Sequence, residues 1–243
     1  MGEALFWGAV ASSSLVLGGL IAVRVRIARR PLGLIMAFGA GVLISAVAYE
    51  LVEEAFQTSS GGAGVGLGLA LGSLAFFTGD LVIDRLGGAD RKRSHGAQAS
   101  GVGLAIVLGI VLDGIPESIV LGLTVLTGEG VSLAMLVAVF LSNLPEAVAA
   151  TVGLRDSGWS TGHVIGLWLL VTAVAGIAAL LGYVLFDGAS PRTIAFVMAF
   201  AAGAILTMLA DTMMPEAFEH GGPYVGLATT AGFGLAFAIS ESE

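Results

Sequence analysis

Cysteine is absent from the 243 residues, which excludes disulfides, thiolate metal sites and thiol redox chemistry. Charge is scarce as well: Asp, Glu, Lys and Arg make up 12% of the chain, against roughly 25% in an ordinary soluble domain. A formal charge of -8 and the lack of any long basic tract argue against a nucleic-acid partner. Neither a glycine-rich phosphate loop nor an HExxH motif occurs, so direct ATP use and zinc-dependent hydrolysis are not expected, and the chain does not read as an enzyme. What fills the chain is apolar: 56% hydrophobic residues, 37 glycines and a mean hydropathy of +0.97. Abundant Gly and Ala suit a membrane interior, where small side chains let helix backbones approach closely. Residues 1–243 therefore read as one integral membrane domain whose first partner is the lipid bilayer.

Apolar runs fall at about residues 4 to 23, 32 to 54, 63 to 84, 101 to 126, 130 to 152, 162 to 186, 193 to 216 and 222 to 240. Each is near the ~20 residues that ~30 Å of hydrocarbon requires. The runs are continuous and not alternating, which favours helices over barrel strands. The fold class expected is thus an all-α polytopic membrane protein with eight transmembrane helices. The first run has no basic segment before it and is followed by RVRIARR, the pattern of a retained span and not of a cleaved signal peptide. Nine of the ten basic residues fall on one side of this map. The positive-inside rule makes that side cytoplasmic and puts both termini outside. Residues 85–100 become a short cytoplasmic basic loop, with His95 solvated in it. A multi-pass protein of the plasma (inner) membrane is the expected setting.

Two stretches nearly repeat. MAFGAGVLISAVAYELVEEAF from Met36 and MAFAAGAILTMLADTMMPEAFEH from Met198 share a start and an EAF end at one offset of 162. The second span runs outward and the seventh inward. Similar sequence in opposite orientation predicts a 3+2+3 arrangement with inverted repeats, a plan found in transporters. In the central pair, Asp113, Pro116 and Glu117 stand 29 residues before Ser142, Pro145 and Glu146. A binding site is expected where the repeats meet, near the midplane.

Asp113 and Glu117 are spaced i, i+4 and share a helix face, as do Ser142 and Glu146. With the fourth and fifth spans side by side, Asp113, Glu117, Asn143 and Glu146 form a candidate set of oxygen ligands, with Ser142 at its edge. Pro116 and Pro145 lack an N–H, so the carbonyls of Leu112 and Leu141 are freed for other partners. Three buried carboxylates carry a cost of several kcal/mol each unless paired, coordinated or protonated. Neither central span holds a Lys, Arg or His. The compensating charge must come from a bound cation, from protons, or from both. A protonated polar seam that only joins two helices is the blander alternative, and the missing counter-cation favours an ion pathway over it. Glu50, embedded in the second span, is a candidate for the same cavity, set against a structural hydrogen bond. Asp211, Glu216, Glu219 and His220 form a further cluster toward the cytoplasm, either an exit relay or a solvated helix end.

These residues resemble the ZIP (Zrt-, Irt-like) family of divalent metal transporters. The likeness rests on DGIPES in the fourth span, SNLPEA in the fifth, AFAAGAILTMLADTMMPEAFEHGG in the seventh and the basic loop after the third. In the family, a His-Asn-x-Pro-Glu-Gly motif and a related polar-polar-x-Pro-Glu-Gly motif line a site for one or two metal ions. By that resemblance Asp113 stands where the first metal-binding histidine stands, Gly114 replaces the asparagine, and Glu117 keeps the glutamate. Ser142 and Asn143 fill the variable polar positions, and Glu146 keeps the bridging glutamate. The acid some members carry in the sixth span, near Ala175, is missing here, so one central ion is the expectation. An aspartate in place of histidine leaves an all-oxygen site and tilts preference toward harder ions such as Mn, Fe(II), Mg or Ca, while zinc also accepts carboxylates. The resemblance implies uptake of a divalent cation toward the cytoplasm, sliding of the central helices, no bound cofactor and a homodimer. The alternative is a relative that senses metal or serves as a membrane scaffold without transporting.

Overall fold

The computed structural model describes residues 1–25, 27–59, 62–85, 102–127 and 130–242, and every regular element among them is a helix. In chain order these are α1 (Gly2–Arg24), α2 (Arg29–Ala46), α3 (Glu54–Thr58), α4 (Gly62–Ile83), α5 (Val102–Leu126), α6 (Leu133–Asp156), α7 (Thr161–Phe186), α8 (Pro191–Met208), α9 (Met214–Gly221) and α10 (Val225–Ser240). The basic loop and His95 lie outside the described residues, Arg85 apart. Apolar composition sets the lengths, and local chemistry sets the starts. Ser132, Ser160 and Ser190 stand before α6, α7 and α8, and their hydroxyls accept from the backbone N–H of Met135, His163 and Thr193 at 3.0, 3.3 and 3.2 Å. Each satisfies one of the orphan donors of a first helical turn.

Seven helical stretches are long and apolar enough to cross a bilayer. The last of them, Pro191–Ser240, contains 50 residues. As one straight helix it would measure about 75 Å, more than twice a ~30 Å hydrocarbon layer. It is not straight. Gly222 has a φ of 67°, a backbone state open to glycine and strained for other residues. A single 3-10 turn, Gly222–Tyr224, then leads into α10. The eight separate apolar runs expected from composition therefore appear as seven stretches because this link stays helical and leaves no break between the last two.

The two MAF stretches have the same build. α2 passes into a π-helical segment, Val47–Glu53, and then α3, while α8 passes into a second π-helical segment, Leu209–Met213, and then α9. Arg29 and Pro191 open them 162 residues apart, and Val47 and Leu209 open the π segments at that same distance. Their directions are opposite. Gly33, near the start of α2, lies against Ala217, His220 and Gly221 of α9. The start of α8 lies by the far end of the first stretch.

Four helices, α2, α4, α8 and α10, pack as one bundle in which α4 lies along α8 and α10 along α2. Both pairs are parallel. Gly68 meets Phe196, Gly72 meets Phe200, and Thr207 donates to Ser73 at 2.7 Å. In the other pair Gly41 meets Thr229 and Gly232 meets Phe38. Gly72 and Gly232 rest directly on the carbonyl oxygens of Phe200 and Phe38, where any Cβ would collide. A second bundle holds α1, α5, α6 and α7, with α1 against α6 and α7, and α7 also against α5. Its own small core surrounds the fully buried Trp168, whose indole N–H donates to Thr151 Oγ1 at 2.8 Å. Trp168 thus serves packing inside the bundle and not the membrane surface. The bundles meet mainly along α2 with α6 and α5 with α8.

Candidate metal centre

α5 and α6 each run unbroken through an internal proline, Pro116 and Pro145. A proline in a helix removes one backbone hydrogen bond and exposes the carbonyl four residues earlier. At Pro145 the structure shows what meets that carbonyl. Gly39 of α2 faces Leu141, and a Cβ placed there would lie 3.1 Å from the Leu141 oxygen. The missing side chain at Gly39 lets the other bundle close directly over the freed backbone. On α5, Ser118 donates to the Gly114 carbonyl at 2.7 Å. Neither Gly39 nor Ser118 was singled out from the sequence. The signal for Ser118 was present in DGIPES itself, whereas Gly39 becomes meaningful only once α2 is known to cross α6 there.

Asp113, Glu117, Ser142 and Asn143 are buried, with exposures of 6%, 2%, 1% and 5%. Glu146 is half-buried. The structure brings the two helices' acids together: Asp113, Glu117 and Glu216 lie within electrostatic range of Glu146. The Glu117 Oε2 is buried and has no hydrogen-bond partner among the described residues, a condition that native proteins rarely leave without a reason. No Lys, Arg or His stands on α5 or on α6 before Arg155, and Arg155 is engaged elsewhere, donating to the Trp159 carbonyl at 3.0 Å.

The remaining predicted positions divide. Ser142 Oγ donates to the Val139 carbonyl of its own helix at 3.1 Å, which occupies its proton. Glu216, half-buried on α9, joins the central acids, and His220 Nε2 stands 4.0 Å from its Oε1. Asp211 lies exposed on the second π segment. Glu50 sits on the first π segment, and its carboxylate is held by two hydroxyls: Ser132 donates to Oε2 at 2.7 Å and Ser240 to Oε1 at 2.6 Å. Of the two roles weighed for Glu50, the structural hydrogen bond is the one present.

Chemically, Asp113, Glu117 and Glu146 carry six carboxylate oxygens, a donor type suited to a hard or borderline divalent cation, and the buried Asn143 stands three residues before Glu146 on α6. The set is open. Among the described residues no three His, Cys, Asp or Glu side chains converge closely enough to hold a metal ion as they stand. No protein-family model matches the chain, and no curated protein matches it.

Proposed function

We propose that this chain is a ZIP-like secondary transporter that carries a divalent metal cation toward the cytoplasm through the α5–α6 centre. One observation carries the reading: a buried Glu117 oxygen without a partner among the described residues, close to Asp113 and Glu146, on two helices that hold no Lys, Arg or His before Arg155. A divalent ion supplies the missing positive charge and the missing partner together. Because carboxylates must be deprotonated to ligate, metal entry at Glu146 and Asp113 is linked to proton release. Glu117 and Glu146 are the core ligands, Asp113 the oxygen ligand in place of histidine, and Asn143 a neutral helper.

The membrane arrangement belongs to the same proposal. Eight spans in a 3+2+3 order follow if the Pro191–Ser240 stretch crosses twice, and its glycine bend and the opposite directions of α9 and α10 beside α2 support that reading. The matched helix–π–helix stretches, running oppositely, support an inverted repeat. With Arg24, Arg29, Arg30 and Arg155 inside, both termini face outward, the Glu50 end is external, and the Glu216 end is cytoplasmic. A plasma-membrane setting and a homodimer are carried over from the family likeness.

The open ligand set favours a second reading, a sensor or scaffold that binds metal without moving it. Uptake by reconstituted proteoliposomes separates the two. Flux of Mn or Zn that disappears in E117A and E146A supports transport; metal binding without flux supports the sensor.

A further inference from the structure

We infer that Glu50 is a latch that holds the two bundles together at one end of the molecule, keeping the path from that end to the metal centre closed in this structure. The inference rests on the transporter reading, and it assigns that reading's external gate. Glu50 belongs to the α2 stretch, and Ser132 caps α6, so the 2.7 Å hydrogen bond between them crosses from one bundle to the other. Four further hydrogen bonds between helices stay within a bundle: Thr207 to Ser73, Ser240 to Glu50, Trp168 to Thr151, and Thr172 to the Ser12 carbonyl. Ser240 fixes Glu50 from its own bundle, which leaves Oε2 aimed at Ser132. Ser132 in turn accepts from Met135 N–H at 3.0 Å while it donates to Glu50. The carboxylate therefore also sits at the positive end of α6, where a negative charge is favoured.

Among the described residues the tie is not repeated at the corresponding positions. At the offset of 162, Glu50 corresponds to Thr212, whose buried hydroxyl has no partner among the described residues. Ser240 corresponds to Thr78, which donates within its own helix to the Leu74 carbonyl. At the offset of 29, Ser132 corresponds to Gly103, which has no side chain. The end of the fold without the tie is the end at Gly33 and α9, 17 residues and about 25 Å of helix away from Glu50. It is also the end where Glu216 approaches Glu146. A two-state element biased by contacts made in only one state is what gating requires. The Glu50–Ser132 bond is made when the external end is shut and must break for that end to open.

The chain has no cysteine, so one introduced thiol reports without interference. Met135→Cys places it one turn below the latch at a fully buried position of α6, with Ala138→Cys, also fully buried, as a second reporter should the first disturb folding. Labelling by a membrane-impermeant maleimide on intact cells is measured in the reporter chain and after adding E50A, S132A or S240A. The expected result is slow labelling in the reporter chain and roughly tenfold faster labelling with E50A or S132A, the weight of one charge-assisted hydrogen bond in a two-state equilibrium. S240A, which leaves the cross-bundle bond in place, gives a smaller increase. Equal labelling in all backgrounds, or fast labelling before Glu50 or Ser132 is changed, overturns the latch. Mn uptake measured on the same cells keeps the two ideas apart. Uptake with unresponsive labelling defeats the latch alone, whereas responsive labelling without uptake defeats the transport reading and leaves Glu50 as the tie between bundles.

Discussion

Glu117, Glu146 and Asp113 differ in what surrounds each carboxyl, and this predicts different consequences of substitution. Glu117 has a buried oxygen with no partner, so Glu117→Gln removes the charge without breaking a visible bond. The variant should fold as well as its parent, by thermal unfolding in detergent, and lose metal flux by about 100-fold or more, as when about 3 kcal/mol of ligand interaction is withdrawn. Persistent flux in folded E117Q would remove Glu117 from the ligand set. Asp113→His exchanges oxygen for a borderline nitrogen and should raise Zn uptake relative to Mn. An unchanged ratio in the folded variant would show that Asp113 does not select the ion. Far from the centre, Thr151→Val leaves the buried Trp168 N–H without its acceptor, costing about 1–3 kcal/mol. A lowered thermal midpoint with metal specificity retained is the expected outcome. The acids and their spacing were legible from the sequence, because i, i+4 pairs on two adjacent apolar helices leave few other ways to satisfy a carboxylate. Which acids already have partners was not legible: Ser132 and Ser240 lie 82 and 190 residues from Glu50, and no local pattern connects them.

At the level of elements, glycine and proline decide how close backbones come. Gly72 rests on the Phe200 carbonyl, whereas a Cβ on Gly66, less than two turns earlier in α4, would meet nothing within 4 Å. G72V should abolish folding of the α4–α8 pair, and G66A should be tolerated; comparable yields of monodisperse protein for both would contradict the packing described. Pro145→Ala restores an N–H that can donate to Leu141. It should straighten α6, withdraw the carbonyl that faces Gly39, and lower flux by roughly tenfold, about 1.4 kcal/mol, while the chain still folds. Helix positions were readable from runs of apolar residues. The π-helical segments were not. They arise in stretches of ordinary helix-forming residues, where tertiary contacts favour the extra residue per turn, and such bulges recur at functional positions. Glu50 and Asp211 both stand on them.

For the whole molecule, helices pair most extensively inside each bundle, while the larger hydrophobic core runs through both, with Val120, Leu121, Met135 and Val139 of one bundle clustered with Met36 and Ile205 of the other. The MAF repeat has a counterpart in the shared helix–π–helix build of its two stretches at an offset of 162 residues. The exchange that pairs α4 with α8 and α10 with α2, across the halves, could not be read from the chain. It depends on Gly41, Gly72, Gly203 and Gly232 accepting backbone carbonyls from the other half, and glycine on an apolar helix looks alike whether it faces lipid or a neighbour. The central claim is that buried carboxylates of α5 and α6 conduct a divalent cation. Its most direct test is uptake into proteoliposomes containing equal amounts of the unaltered chain or E146A, with Zn, Mn, Fe(II), Co, Cd, Mg and Ca offered in parallel. The account predicts flux for at least one ion, favouring oxygen-seeking metals such as Mn, and its loss in E146A. Equal flux in the two proteins, or no flux for any ion, would contradict it.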